Sequence, residues 1–202
     1  DFPHRALPVM DVGPFLSGDR SGLADLVARW RRTCETVGFM CVVGHGIPPT
    51  LVARAEAELK RFHGLPMDEK LKLKVNEHQR GYIPPKATIV KHSTFHDNTR
   101  LDSNETLVLA TEYGADHPGM REGRRFFGRN PWPENLPGFR ETVLEFMTAM
   151  NALGRATLPI WAAALGMREN FFDPFFEDGY TYFRMAHYPP DPNPPENHFG
   201  LG

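Results

Sequence analysis

Two cysteines, Cys34 and Cys41, are all that 202 residues carry, which excludes a disulfide framework and any four-thiolate zinc site. Cys34 lies in an amphipathic run and Cys41 in an apolar one, so both are expected to be buried, reduced thiols. An excess of one charge is lacking too. Lys and Arg number 23 against 25 Asp and Glu, a formal net charge of −2, and the basic residues are dispersed among acidic ones. No basic field exists to hold nucleic acid or an anionic membrane, and a small-molecule partner is expected. No apolar run approaches the roughly 18 residues that would span a bilayer, and Asp1-Phe-Pro-His-Arg5 does not have the pattern of a signal peptide, so a cytoplasmic location is expected.

Several catalytic signatures are missing as well. There is no Gly-x-Ser-x-Gly elbow, no Gly-x-x-x-x-Gly-Lys phosphate loop and no Gly-x-Gly-x-x-Gly after a strand, which removes serine hydrolase, P-loop and dinucleotide-binding readings. Acid pairs such as Asp68-Glu69 lie on a charged helix face, where solvation explains them better than general acid–base work.

What is there is an ordinary globular composition, 41% hydrophobic and 24% charged, on a chain long enough to bury a core. Leu7-Pro-Val-Met-Asp-Val12 reads as a short strand ended by Gly13-Pro14. Leu23, Leu26, Val27, Trp30, Cys34 and Val37 recur at helical spacing, and Gly38 offers a left-handed stop. Phe39-Met-Cys-Val-Val43 is a second strand and Gly44-His-Gly-Ile-Pro48 a tight turn. Leu51, Val52, Ala55, Leu59 and Phe62 mark another helix, and Met67–Val75 a third, short one, with Pro66 between them. From Gln79 to Arg125 the pattern dissolves, apart from a strand-like Glu105-Thr-Leu-Val-Leu109, and a binding surface is expected there. The strongest helix runs from about Phe139 to Leu165, with Phe139, Val143, Phe146, Met147, Met150 and Leu153 on one face and a kink or split expected at Pro159. Tyr180–Tyr188 alternates as a strand before the proline-rich Pro189–Pro195.

Four blocks, in order, carry a family resemblance. They are Leu7–Val12 with Val37-Gly-Phe-Met-Cys-Val-Val-Gly-His-Gly-Ile-Pro48; Phe62-His-Gly-Leu-Pro-Met-Asp-Glu-Lys-Leu-Lys72 leading to Arg80-Gly-Tyr82; Asn130-Pro-Trp-Pro-Glu-Asn-Leu-Pro-Gly-Phe-Arg140; and Arg184-Met-Ala-His-Tyr-Pro-Pro190. Together they resemble the N-terminal part of the isopenicillin N synthase-like, Fe(II)- and 2-oxoglutarate-dependent oxygenases. The resemblance implies an α+β fold in which an N-terminal helix and strand region leads into a double-stranded β-helix, or jelly-roll, core that is incomplete in this chain. It divides the chain into residues 1–125, the N-terminal oxygenase region, and 126–202, the long helix and the lead into that core.

The implied activity is oxidation of a C–H bond of a small organic molecule by O2, coupled to decarboxylation of 2-oxoglutarate. The implied cofactor is Fe(II) on two histidines and one carboxylate, a ligand set that leaves coordination positions open. The family's His-x-Asp pair, distant second histidine and Arg-x-Ser pair have no counterparts here, and His198 is followed two residues on by Gly200. The ligands are therefore expected C-terminal to residue 202, no metal ligand is assigned, and residues 1–202 alone are expected to be inactive.

Tyr188 stands where the family has a tyrosine that can contact the cosubstrate; a core tyrosine with a satisfied hydroxyl is the competing reading. Strand alternation puts Tyr182, Arg184, Ala186 and Tyr188 on one face and Phe183, Met185 and His187 on the other, and the first face is the candidate for the barrel interior. Tyr182 and Arg184 are candidate substrate contacts, with a structural ion pair as the alternative for Arg184. Arg80 and Tyr82 fall in the segment that borders the family's substrate pocket, against a loop arginine beside a packing tyrosine. Many plant members have asparagine where Ala186 stands, so a cosubstrate-independent oxidase of the isopenicillin N synthase kind stays open, as does a truncated binding module without catalysis. His92 and His96, with Asp97 or His117, have metal-compatible spacing, but solvated loop histidines are the stronger expectation. His45 is read as structural.

Overall fold

The computed structural model describes residues 7–87 and 101–190. His92, His96, Asp97 and His198 lie outside them. Cα packing divides the chain into two units that interleave along the sequence: residues 1–52 with 145–179, and 53–144 with 180–202. This partition follows packing, whereas the boundary expected after residue 125 follows role.

In the first unit, β1 (Val9–Asp11) and β2 (Cys41–Val43) pair in parallel, joined through the short α1 (Gly13–Leu16) and the crossover helix α2 (Leu23–Thr36). Alternation along β1 buries Met10 and leaves Val9 half exposed. Met10, Val12, Leu26, Trp30, Ile160 and Ala164 form the core, each at most 8% exposed. Burying side chains of this size contributes about 1.5–3 kcal/mol apiece. Trp30 meets Trp161 edge to face, with centroids 5.3 Å apart. Helix α2 ends where the N–H groups of Val37 and Gly38 both donate to Thr33 O and Gly38 turns left-handed at φ 79°. At Gly44, φ is 68° and a Cβ would lie 2.3 Å from Asp11 Oδ1. The same Oδ1 accepts from Gly13 N at 2.9 Å, so only glycine fits this turn.

The second unit is built on an antiparallel sheet of order β3 (Gly81–Ile83), β4 (Glu105–Ala110), β5 (Tyr182–His187). The central β4 is buried at every residue, which is why an apolar run without alternation forms it. In the register, Glu105 stands opposite His187 and Leu107 opposite Met185. Around the sheet lie α4 (Met67–Leu71), α5 (Pro118–Arg121), the C-terminal part of α3 (Pro49–His63) and the first turns of α6 (Phe139–Ala164). Phe62 and Phe139, both fully buried, pack with ring centroids 5.9 Å apart. The short α7 (Asp173–Phe176) belongs to the first unit.

Several expectations change. Both cysteines are exposed: the buried stripe of α2 is Leu26, Trp30 and Thr33, and Cys34 sits beside it rather than on it. Pro159 does not split α6, which runs unbroken through it. Met150, expected on the buried face, is 42% exposed. Helix α4 stops at Leu71 because the next backbone turns to the sheet, where Tyr82 N donates to Leu73 O and Val75 N donates to Tyr82 O.

A buried glutamate between two histidines

The densest polar chemistry among the described residues gathers on Glu105, the first residue of β4. Its side chain is 5% exposed, in an otherwise apolar strand. Lys70, from α4 and 6% exposed at its side chain, donates to Glu105 Oε2 at 2.8 Å and to His63 O at 3.1 Å. The Tyr82 hydroxyl from β3 donates to the same Oε2 in a short hydrogen bond. On the other oxygen, His187 Nδ1 donates to Oε1 at 2.8 Å. His63, at the end of α3, points its Nδ1 to within 3.4 Å of Oε1. Two helices and three strands thus converge on one carboxylate.

The hydrogen bonds fix which nitrogen of His63 carries the hydrogen. His63 Nε2 faces Met185 O at 2.9 Å. A carbonyl only accepts, so Nε2 carries the hydrogen and Nδ1 of the neutral ring carries a lone pair. That Nδ1 is buried and has no hydrogen-bond partner. Burial, the largest influence, pushes His63 below its ordinary 6.5, against the Met185 carbonyl and the Glu105 charge. Burial alone would raise Glu105; the hydrogen bonds from Lys70, Tyr82 and His187 outweigh it and hold the carboxyl at about 2. Burial, then the hydrogen bond to Glu105, pushes the Tyr82 phenol up, so it stays a donor. The group therefore sets the Glu105 carboxylate against the Lys70 ammonium, with the His63 ring held neutral by its burial.

His63, Glu105 and His187 are also spaced for a metal ion, their ligand atoms lying within 4.8 Å of one another. Their side chains are 3%, 5% and 41% exposed. Two of the three ligands are sealed, and a buried ammonium already neutralises the carboxylate.

The five residues singled out in the sequence fall into two groups. Arg80 and Tyr82 are fully buried. Arg80 Nη1 donates to Asn130 Oδ1 at 3.0 Å and Ala110 O at 3.4 Å, and Nη2 donates to Phe126 O at 2.9 Å and Thr111 O at 3.0 Å. Its fork thus ties together the loops around the end of β4, and Tyr82 serves Glu105. Tyr182 and Arg184 remain exposed on one face of β5, Tyr182 at 49%, and Tyr188, one residue past the strand, is 50% exposed. Arg184 Nη2 reaches Thr106 Oγ1 at 3.3 Å rather than a carboxylate. On the opposite face Met185 is buried, at 2% exposure, while Phe183 and His187 are partly buried. His45 Nδ1 accepts from Ile47 N at 3.1 Å, the structural turn expected of it, and His117 Nδ1 accepts from Gly119 N at 3.1 Å to cap α5.

Sequence reasoning missed Lys70, His63, Glu105 and His187 as a group. The one available signal was an acid heading a strand that is otherwise apolar. Lys70 was hidden in the charged Met67-Asp-Glu-Lys-Leu71, which reads as a solvated face.

Comparison with known proteins places these residues in context. Residues 7–135 match the family model described as the N-terminal part of a non-haem dioxygenase in morphine synthesis. A 2-oxoglutarate-Fe(II) type oxidoreductase, hxnY of Emericella nidulans, is 35% identical over 98% of this chain and 56% of its own length. The 2-oxoglutarate-dependent dioxygenase citB of Monascus ruber is 32% identical over 93% of this chain and 57% of its own length. Among solved structures, a full-length Neurospora crassa protein in complex with alpha-KG superimposes with a TM-score of 0.74 at 25% identity, covering 94% of this chain and 56% of that one. The chain thus spans somewhat over half the length of the relatives it matches.

Proposed function

Because the chain belongs to the non-haem Fe(II)- and 2-oxoglutarate-dependent oxygenases of the isopenicillin N synthase-like type, we propose that the whole protein uses O2 and 2-oxoglutarate to oxidise a C–H bond of a small organic molecule. The observation that carries this reading is the extent of the likeness, which runs through nearly the entire chain rather than through one motif. The jelly-roll core belongs to the same proposal.

The His63, Glu105 and His187 group does not fit the iron of such an enzyme. A catalytic iron needs open positions for cosubstrate and oxygen. Here two of the three ligands are sealed, Lys70 and Tyr82 occupy Oε2 of the carboxylate, and the buried Lys70 ammonium, 2.8 Å from that oxygen, already neutralises it. Fe(II) is held elsewhere, and no catalytic step runs through this group. When bound there, iron supplies the activation of O2.

In this reading the chain's own residues do two things. Met185 and His187 anchor one face of β5, and Tyr182 and Arg184 on the opposite face, with Tyr188 just past the strand, are presented to the pocket. A guanidinium and a phenol on one face suit a dicarboxylate such as 2-oxoglutarate: Arg184 attracts its charge and the Tyr188 hydroxyl donates to a carboxylate oxygen. Arg80 shapes the loops bordering that pocket, holding Ala110, Thr111 and Phe126 by their carbonyls.

Oxygen uptake by the intact, Fe(II)-supplied protein tests this reading. Uptake that requires 2-oxoglutarate and yields succinate is expected; uptake that proceeds equally without it would replace the reading with a cosubstrate-independent oxidase.

A further inference from the structure

The buried group on Glu105 has the parts of a metal site and one part too many. Two imidazoles and a carboxylate converge within 4.8 Å. The remote N–H of His63 is fixed by the Met185 carbonyl, the arrangement by which metal-ligating histidines are oriented. Its Nδ1 lone pair, on a side chain 3% exposed, is aimed at a carboxylate oxygen 3.4 Å away with no hydrogen between them. Two acceptors facing each other in a dry site call for a positive charge. The one present is the Lys70 ammonium, 2.8 Å from the other oxygen of the same carboxylate and 6% exposed.

We propose that Lys70 is the resident cation of this ligand group and keeps divalent metal out of it, so that a protein loading Fe(II) elsewhere carries no competing site of two histidines and one carboxylate. The last clause rests on the function proposed above; the exclusion of metal by Lys70 does not. One carboxylate and one ammonium sum to zero, so a dication entering beside them would leave two excess positive charges in a site with little solvent. With Lys70 replaced by a neutral side chain, the carboxylate is left uncompensated, His63 Nδ1 already offers its lone pair, and the half-exposed His187 ring frees its Nδ1 by moving its hydrogen to Nε2 through solvent.

The test is zinc stoichiometry by equilibrium dialysis on the intact protein, with wild type and Lys70→Met side by side, so that every other site cancels in the difference. Lys70→Met is expected to bind one equivalent more than wild type, and adding His63→Ala is expected to abolish that equivalent. Lys70→Gln, which keeps a hydrogen-bond donor but not the charge, gives the same comparison if the methionine variant does not fold. A folded Lys70 variant, with wild-type circular dichroism, that binds no additional zinc overturns the proposal. So does a wild-type protein that loses one equivalent on His63→Ala, because the native group would then already hold metal. If 2-oxoglutarate-dependent oxygen uptake fails while the extra equivalent appears, the function proposed above falls and the role of Lys70 stands.

Discussion

Glu105 is the residue on which the most interactions converge, and its worth lies in the partners it satisfies. Glu105→Gln keeps the shape but leaves Lys70 charged and buried without a counter-charge. Breaking one side of a buried pair in this way costs about 3–5 kcal/mol, which urea denaturation would read. Removing both charges, with Glu105→Leu and Lys70→Met together, is expected to cost less than Glu105→Gln, since no buried charge is then left uncompensated. The same residues set an acid limit. His63 is depressed below its ordinary 6.5, so the stability it contributes is present above that pH and is lost as pH falls below it toward the folded value. Glu105 is depressed from 4.5 to about 2, and its contribution is lost over that lower window. Denaturation midpoints measured from pH 7 downward should therefore fall from about 6.5 and again below about 4.5, with His63→Asn removing the first loss.

At the level of elements, local chemistry made much of the fold legible. Helix α2 with Gly38 behind it, the strand β4, the long helix α6 and the strand β5 each lie where sequence spacing puts them, though Cys34 and Met150 fall off the buried faces expected of them. What was illegible depends on partners far along the chain. Strand β3 is three residues, one of them Gly81, and exists because β4 lies beside it. Helix α4 ends early because Leu73 and Val75 bond to Tyr82. The Asn130-Pro-Trp block was legible as a landmark, but its reason was not. The Asn130 side chain accepts from Ala110 N at 2.9 Å and Arg80 Nη1 at 3.0 Å and donates to Ala110 O at 2.8 Å, standing in for a neighbouring strand at the end of β4. Asn130→Ala would strand those buried groups, each costing about 1–3 kcal/mol. We expect a loss of about 2–5 kcal/mol in a denaturant titration, against a small effect of Asn135→Ala on the exposed surface nearby.

For the whole molecule, β5 is the element on which the proposed function rests, with Met185 buried on one face and Tyr182 and Arg184 exposed on the other. That Tyr182 and Arg184 share an exposed face was legible because alternation fixes which residues of a strand lie together. The buried cluster behind them was not, because its members are spread from His63 to His187 and meet only when helices and sheet pack. No helix among the described residues is long and apolar enough to cross a membrane. If the open face meets the cosubstrate, Tyr188→Phe should raise the KM for 2-oxoglutarate about tenfold or more, the loss of one hydrogen bond to a charged group, with kcat little changed. Stability should stay within about 0.5 kcal/mol of wild type, since the ring is half exposed. An unchanged KM would remove Tyr188 from the site.

The most direct measurement is turnover of the intact protein under ¹⁸O2 with Fe(II), 2-oxoglutarate and substrate, followed by mass spectrometry of the succinate. Coupled oxidation takes one oxygen atom into succinate as CO2 leaves, whether the substrate is hydroxylated, desaturated or cyclised. Succinate carrying one ¹⁸O, formed only when iron and 2-oxoglutarate are both present, is the predicted result. Oxygen consumption without labelled succinate would contradict the account.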